Sequence, residues 1–226
     1  MFIPLPIKFH DGRDSESIPF ANGLLIAVNA LIFWFGWHPC VGPGTGFTSV
    51  ITYAFGHAGL WHLAANMLTL LVFGTPVNRR LGNGWYLLVY LSTCLAIGIL
   101  VKVLVPGQLL GASGAIFAII AIAVILMPSA KIDIAYVASL PATLLVGLFS
   151  PPKHWAFWFL RWDQFSIRAW WGLFIIPLLE ICGFISNGWN WTNLGHLCGL
   201  FFGLVAVLIM PKRLTMPTSR KAAYAF

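Results

Sequence analysis

The chain has 226 residues, of which 59% are hydrophobic and only 8% are charged. Its apolar runs are far longer than a soluble core of this size needs, which excludes a soluble globular protein and indicates an integral membrane protein. A formal charge of +7 is also found in proteins that bind nucleic acid, but in a membrane protein Lys and Arg first set the orientation of the spans. We therefore expect the protein to have a lipid bilayer, and no nucleic acid, as its partner.

The first 19 residues combine charges with prolines, and they lack the short apolar core and small-residue cleavage site of a signal peptide. We expect residues 1–19 to be a cytoplasmic segment and the first span to insert uncleaved. A helix needs about 20 residues to cross roughly 30 Å of hydrocarbon. Six apolar runs approach or reach this length: residues 20–37, 58–77, 85–105, 112–127, 169–186 and 193–210.

A further apolar run, residues 132–149, is ambiguous because Asp133 and Pro141 interrupt it. With six spans, every Lys and Arg except Lys102 lies on one side of the membrane or at its border, as the positive-inside rule expects. With seven spans, the basic carboxyl-terminal tail would lie opposite the amino terminus. We therefore predict an all-α membrane protein with six transmembrane helices, and seven spans are the alternative.

The predicted organisation has three parts. Residues 1–19 precede a membrane domain of residues 20–210. This domain contains a cytoplasmic, interfacial insertion of about residues 131–167 between helices 4 and 5. A basic cytoplasmic tail, residues 211–226, follows the domain.

Four polar residues lie near one end of three predicted spans. With the amino terminus inside, the second, fourth and sixth spans start at the outer face, and their first turns hold His62, Asn66, Ser113 and His196. Polar side chains inside hydrocarbon cost free energy unless a partner satisfies them, so function is the default explanation. Each residue alone is more often part of helix packing. Four such residues at one depth favour a functional site.

Their chemistry is that of a serine hydrolase. A serine needs a neighbouring base to take its proton, and neutral histidine most often provides it, so Ser113 and His196 are the candidate nucleophile and base. Small residues beside them, Gly111 and Gly114 in one helix and Gly199 in the other, allow the two helices to approach closely. Close approach would let the hydroxyl meet the imidazole.

The intermediate of acyl transfer needs fixed hydrogen-bond donors at its oxyanion. His62 and Asn66 suit this role because their i, i+4 spacing puts both on one face of a helix. Ser113 adds an unpaired backbone N–H, since it lies at a helix start. We therefore predict an oxyanion hole at these three residues.

The surroundings of His196 predict a dyad. Phe117, one turn below Ser113, is placed to hold the imidazole by stacking, whereas the sequence shows no Asp or Glu placed to orient it. We expect Glu180, in the fifth span, to pair with polar groups or to face an aqueous cleft. The four cysteines lack the close pair spacing of metal ligands, so no metal site is predicted.

Several short motifs follow one another within residues 51–127 and 193–210. They are the stretch from Phe55-Gly56-His57 to His62, then Asn66-Met67, Phe73-Gly74, Leu81-Gly82, Gly111-Ala112-Ser113-Gly114-Ala115, and Gly195-His196 with Gly199 and Gly203. Each motif is weak by itself. In this order, the set resembles the rhomboid family of intramembrane serine proteases.

The resemblance implies a six-helix core with a water-filled cavity that opens to the outer side. It also implies a dyad of Ser113 and His196, an oxyanion hole that includes His62 and Asn66, and no cofactor. Its substrates would be transmembrane segments of other proteins, cleaved near the outer membrane boundary. Size and orientation favour a bacterial inner membrane with the amino terminus in the cytoplasm, and an organellar membrane is the alternative.

Two other functions compete with a protease. The first is a non-catalytic rhomboid-like protein that binds transmembrane helices, although such relatives typically lack the serine or the histidine that this chain has. The second is a small transporter or channel, because intramembrane polar residues are expected there as well. Transporters usually have internal repeats, and none is convincing in this sequence.

Overall fold

The computed structural model describes residues 2–10, 18–149, 155–186 and 190–215. Residues 1, 11–17, 150–154, 187–189 and 216–226 lie outside the described residues, and they include parts of the predicted amino-terminal segment, insertion and basic tail. The elements are, in chain order, β1 Phe2–His10, α1 Phe20–Trp34, α2 Ser49–Thr52, α3 Leu60–Thr69, α4 Thr75–Leu81, α5 Asn83–Leu104, α6 Ser113–Leu126, β2 Lys131–Ser139, α7 Ala142–Phe149, β3 Leu160–Arg168, α8 Gly172–Ser186, α9 Trp191–Ile209 and α10 Lys212–Thr215.

Four helical stretches are long and apolar enough to cross a membrane: Leu60–Leu81, Asn83–Leu104, Ala169–Ser186 and Trp191–Ile209. The first of them joins α3 to α4 through a π-helical turn at Leu70–Gly74. Helices α1 and α6 are also apolar but have only 15 and 14 residues, which corresponds to about 22 and 21 Å of rise. Each predicted span overlaps one of these six helices. The helices, like the composition, are those of a multi-pass membrane protein.

Helix α6 lies at the centre of the bundle, and most of its residues are buried. It packs along α9, where two glycines bring the backbones together. A Cβ at Gly199 would overlap the carbonyl oxygen of Gly114, and a Cβ at Gly203 would lie 2.5 Å from the carbonyl oxygen of Ala118. The first two turns of α6 and the third and fourth turns of α9 are therefore in direct backbone contact.

The prediction of an all-α fold is wrong in one region. Strands β1, β2 and β3 form an antiparallel sheet with β2 in the middle. Along β2, Ile132, Tyr136 and Ala138 are buried whereas Lys131 and Val137 are exposed. This alternation has the two-residue period of a strand. The apolar character of the whole run 132–149 concealed it in the sequence.

The same region bears on the seven-span alternative. The run 132–149 contains β2 and then the eight-residue helix α7, which rises only about 12 Å. No single helix covers the run, so it does not supply a seventh membrane-spanning helix. Because β1 pairs with β2, these two strands must lie on the same side of the membrane.

A buried polar network joins α1, α4 and α5 at the end of the bundle away from His62. The backbone N–H of Asn22 donates to Asn78 Oδ1 at 2.9 Å, and the Nδ2 of Asn22 donates to the carbonyl oxygen of Leu70 at 2.9 Å. The hydroxyl of Tyr86 donates to Asn22 Oδ1 at 2.6 Å. Since Leu70 begins the π-helical turn, this side-chain bond accompanies the local break in the α-helical ladder.

The loop between α1 and α3 is docked on α5. A Cβ at Gly98 would overlap the carbonyl oxygen of Val50, so α2 lies directly on the α5 backbone. Lys102, the one basic residue that six spans leave on the other side, donates through Nζ to the carbonyl oxygens of Thr45 and Gly46. The charge of Lys102 therefore anchors this loop to the end of α5.

Candidate active site

His62 is the third residue of α3, and its ring faces the segment that leads into α6. Its Nδ1 accepts a hydrogen bond from the backbone N–H of Ala58 at 3.3 Å, so the proton of the neutral ring lies on Nε2. Gly111 has φ +117°, and a Cβ there would lie 2.9 Å from His62 Cε1 and 3.1 Å from His62 Nε2. Only glycine suits both this backbone and this space. The Nε2–H of His62 thus lies beside the chain just before Ser113.

A second histidine supports this ring. His57 meets His62 edge to face, with ring centroids 5.1 Å apart and an interplanar angle of 62°. It lies in the loop before α3 and is fully buried. Burial, and to a smaller degree the neighbouring His62, lower the pKa of His57 to about 4. His57 is therefore neutral near pH 7 and packs behind His62 without adding charge to the site.

Asn66 lies one turn beyond His62 on the same face of α3, as the i, i+4 spacing predicts. Its side chain is buried, and its Nδ2 has no hydrogen-bond partner among the residues that the structure describes. A buried polar group left unsatisfied costs about 1–3 kcal/mol. The Nδ2–H of Asn66 and the Nε2–H of His62 are therefore two donors available on one helix face.

Ser113 is the first residue of α6 and is half-buried. Residues on both sides of Ser113 in the sequence contact the other two helices. Gly111, before it, lies against His62, and Phe117, after it, lies against His196. The rings of Phe117 and His196 are stacked, with centroids 4.1 Å apart and planes 6° apart. The predicted stacking is thus present in the structure, one turn below the serine.

The four predicted site residues do not all lie in first turns. Ser113 opens α6 and His62 lies in the first turn of α3, but Asn66 and His196 lie in the second turns of α3 and α9. Helix α9 begins at Trp191, because the side chain of Asn190 accepts a hydrogen bond from the Thr192 N–H at 2.9 Å and caps the helix there. Gly111 lies against His62 and Phe117 stacks on His196, so α3, α6 and α9 bring these residues to one region.

A carboxylate does orient His196, so the prediction that none is placed to do so is wrong. Glu180 Oε2 lies 2.9 Å from His196 Nδ1, and it also accepts a hydrogen bond from Asn193 Nδ2 at 2.7 Å. The pairing of Glu180 with polar groups, which the sequence predicts, is therefore present. An ionised carboxylate only accepts, so Nδ1 carries the proton and Nε2 carries the lone pair. This Nε2 is buried without a partner among the described residues.

Sequence reasoning missed this pair because the contact depends on how α8 and α9 pack. One signal was available. Glu180 lies six residues before the end of α8 and His196 is the sixth residue of α9. In two consecutive antiparallel spans, these positions lie at the same depth.

The assembled groups are those of acyl transfer. They comprise the imidazole of His196, whose buried Nε2 has a free lone pair, and the hydroxyl of Ser113, one turn from the Phe117 ring that stacks on this imidazole. Two hydrogen-bond donors, from His62 and Asn66, are also available. Within the described ranges, no three His, Cys, Asp or Glu side chains are arranged to hold a metal ion.

Comparison with known proteins identifies several curated relatives. The chain is 34% identical over 133 residues to Rhomboid protein 1, mitochondrial, of Saccharomyces cerevisiae, covering 55% of this chain and 38% of the relative. It is 33% identical over 139 residues to Rhomboid protease GluP of Bacillus subtilis, covering 51% and 27%. It is 30% identical over 122 residues to RHOMBOID-like protein 12, mitochondrial, of Arabidopsis thaliana, covering 45% and 35%.

The matched part is thus only 27% to 38% of the length of these relatives. No solved structure matches the chain significantly. The Rhomboid domain, as a family, matches residues 45–213, which is well over half of the chain. The resemblance seen in the motifs is confirmed, and the chain belongs to the rhomboid family.

Proposed function

We propose that this protein is an intramembrane serine endopeptidase that cleaves transmembrane segments of other membrane proteins near the outer membrane face. The observation that carries the proposal is the buried, unpartnered Nε2 of His196, whose ring stacks on Phe117 one turn from Ser113. An imidazole nitrogen with a free lone pair is the base that a serine nucleophile requires. Membership of the rhomboid family, and the name of the Bacillus relative, a rhomboid protease, support the same reaction.

In the proposed mechanism, Ser113 Oγ attacks the scissile carbonyl carbon while its proton passes to His196 Nε2. The imidazolium then gives this proton to the leaving amine, and an acyl-enzyme forms. Water hydrolyses the ester by the same steps with His196 again as base. The Nε2–H of His62, the Nδ2–H of Asn66 and the backbone N–H of Ser113 stabilise the oxyanion, and each such donor contributes roughly 10²- to 10³-fold in kcat.

The substrate must unwind before it reacts. In an intact helix, each carbonyl accepts a hydrogen bond from the N–H four residues later, so neither the carbonyl carbon nor its oxygen is free for the site. Glycine and proline reduce the cost of opening the helix locally. We expect cleavage at transmembrane segments that carry such residues close to their outer end.

The proposed topology has six crossings, made by α1, the joined α3 and α4, α5, α6, α8 and α9. The amino-terminal segment and the insertion lie in the cytoplasm. The pairing of β1 with β2 supports a location on the same side of the membrane for both. Helix α6 has 14 residues and about 21 Å of rise against roughly 30 Å of hydrocarbon, so a start at Ser113 lies below the outer surface. The expected location is a bacterial inner membrane, and an organellar membrane is the alternative, since two of the relatives are named mitochondrial.

The test uses the full chain, purified in detergent or in liposomes, with a transmembrane substrate and a fluorophosphonate probe that reacts with activated serines. We expect cleavage and labelling by the wild type and loss of both in Ser113→Ala. Ser92→Ala is the matched control, because Ser92 lies in α5 and its hydroxyl donates to the carbonyl oxygen of Val89. Equal turnover of the substrate by Ser113→Ala and the wild type would refute the proposed serine protease activity.

The same experiment separates the non-catalytic alternative. A rhomboid-like binder would retain the transmembrane helix in a pull-down with both the wild type and Ser113→Ala, and neither protein would cleave the substrate or react with the probe. That result would favour a helix-binding function over the proposed protease activity.

A further inference from the structure

We propose that Glu180 is a positioning residue for His196, so that Ser113, His196 and Glu180 act together as a triad. This inference rests on the proposed function, because it assigns a third member to the same site. It starts from the hydrogen bond of 2.9 Å between Glu180 Oε2 and His196 Nδ1.

The pair is built into the contact between two helices. Both side chains are largely buried, with 14% of Glu180 and 16% of His196 exposed. Asn193, one turn before His196, donates its Nδ2–H to the same Oε2 at 2.7 Å. A Cβ at Gly183, one turn after Glu180, would lie 2.8 Å from Asn193 Nδ2. Glycine at this position therefore lets Asn193 reach the carboxylate.

The carboxylate fixes the tautomer that the reaction needs. A charged side chain inside a membrane is costly and is found where it has partners and a role. Here the anion accepts from His196 and Asn193, so the proton of the neutral imidazole stays on Nδ1. The lone pair is then on Nε2, the atom that must take the proton of Ser113 Oγ.

The carboxylate also favours the charged state of the base. When His196 takes the serine proton, it becomes an imidazolium 2.9 Å from the Glu180 oxygen, where the low dielectric strengthens their attraction. The Nδ1 proton stays on the histidine throughout, and Glu180 does not become protonated. Glu180 contacts His196 at Nδ1 and not at the reacting Nε2, so it acts through His196.

A structural role is the competing explanation, because the same hydrogen bonds tie α8 to α9. Glu180→Gln separates the two explanations, since it keeps the size and an acceptor oxygen but removes the charge. The matched control is Asn193→Ala, which removes one tie between the helices and leaves the carboxylate facing His196.

For Glu180→Gln we expect kcat to fall by roughly 10²- to 10⁴-fold, by analogy with the loss of a triad carboxylate, with KM unchanged. Glu180→Asp should restore part of kcat, and Asn193→Ala, which keeps the carboxylate, should lower kcat less than Glu180→Gln does.

An unchanged kcat in Glu180→Gln would overturn the inference, as would equal losses of kcat in Glu180→Gln and Asn193→Ala. A wild type that neither cleaves nor reacts with the probe would instead overturn the proposed function.

A second measurement needs no turnover and also serves if Glu180→Gln does not fold. In protein with ¹⁵N-labelled histidine and Ser113→Ala, the imidazole nitrogens of His196 report its tautomer, and loss of their signals in His196→Gln assigns them. We expect the neutral ring to carry its proton on Nδ1. A ring with its proton on Nε2 would overturn the role of Glu180 in an otherwise active protease.

Discussion

The imidazole of His196 lies parallel to the phenyl ring of Phe117, with ring centroids 4.1 Å apart and planes 6° apart. Phe117 is one turn from Ser113 on α6. The helix that carries the proposed nucleophile therefore also sets the plane of the proposed base. Glu180 holds the same ring at its Nδ1 edge, so one contact controls its tilt and the other its rotation.

Loss of this stacking should slow catalysis. Aromatic pairs contribute about 0.5–1.5 kcal/mol beyond the area they bury, which corresponds to roughly a 2- to 10-fold change in rate. We expect Phe117→Leu to lower kcat by this factor, whereas Phe117→Tyr retains the ring and stays close to the wild type. Initial rates of substrate cleavage and of fluorophosphonate labelling measure the effect. An equal kcat in Phe117→Leu would show that the stack does not orient the base.

The contact between α6 and α9 should not tolerate a methyl group at Gly199. A Cβ there would overlap the carbonyl oxygen of Gly114, so the helices must separate beside Ser113. We expect Gly199→Ala to lower the melting temperature and to lower kcat by at least about 10²-fold, since a displacement near 1 Å can have that effect.

The matched control is Gly23→Ala on α1. Nothing lies within 4 Å of a Cβ at Gly23, and alanine favours a helix over glycine by about 1 kcal/mol. This variant should keep full activity and melt at the same or a higher temperature. Full activity in Gly199→Ala would contradict the close packing of the two helices at the site.

Replacing Asn66 with alanine should lower activity without lowering stability. Its buried Nδ2 has no partner among the described residues, so removing the amide relieves a cost of about 1–3 kcal/mol. Without this oxyanion donor, we expect Asn66→Ala to lower kcat by roughly 10²- to 10³-fold with a melting temperature no lower than that of the wild type. Circular dichroism in detergent measures the melting. A less stable variant with normal kcat would make Asn66 a packing residue.

His57 should make the fold less stable in acid. Its pKa is about 4 in the folded protein and about 6.5 in an unfolded chain. Between these values, the unfolded state binds more protons, so stability is fully present above pH 6.5 and falls as the pH drops towards 4. His57→Phe keeps a ring against His62 and cannot titrate. Its melting temperature should therefore change less than that of the wild type between pH 7 and pH 4.5, and equal slopes would exclude His57 as the source.

Hydropathy predicted the long helices because each of them carries apolar side chains on all sides, some buried and some exposed. It did not predict β2, where Ile132 and Tyr136 alternate with more exposed neighbours, because the strand forms only when β1, more than 120 residues earlier, pairs with it. Asn78 is a similar case. Nothing near it in the chain shows that its Oδ1 accepts from the backbone of Asn22, 56 residues away.

The amino-acid sequence by itself determined that the protein lies in a membrane, that it is built mainly from apolar helices, which family it belongs to, and the candidate residues Ser113, His196, His62 and Asn66. Composition, hydropathy and local motifs depend on neighbours along the chain. The tertiary structure alone decided the sheet and the carboxylate at His196. The sheet depends on pairing between strands that are far apart in the chain, and the carboxylate contact depends on side chains from two helices meeting at one depth. Hydrogen bonds and ring contacts act only over a few ångströms, so only the packing of α6, α8 and α9 brings their partners within reach.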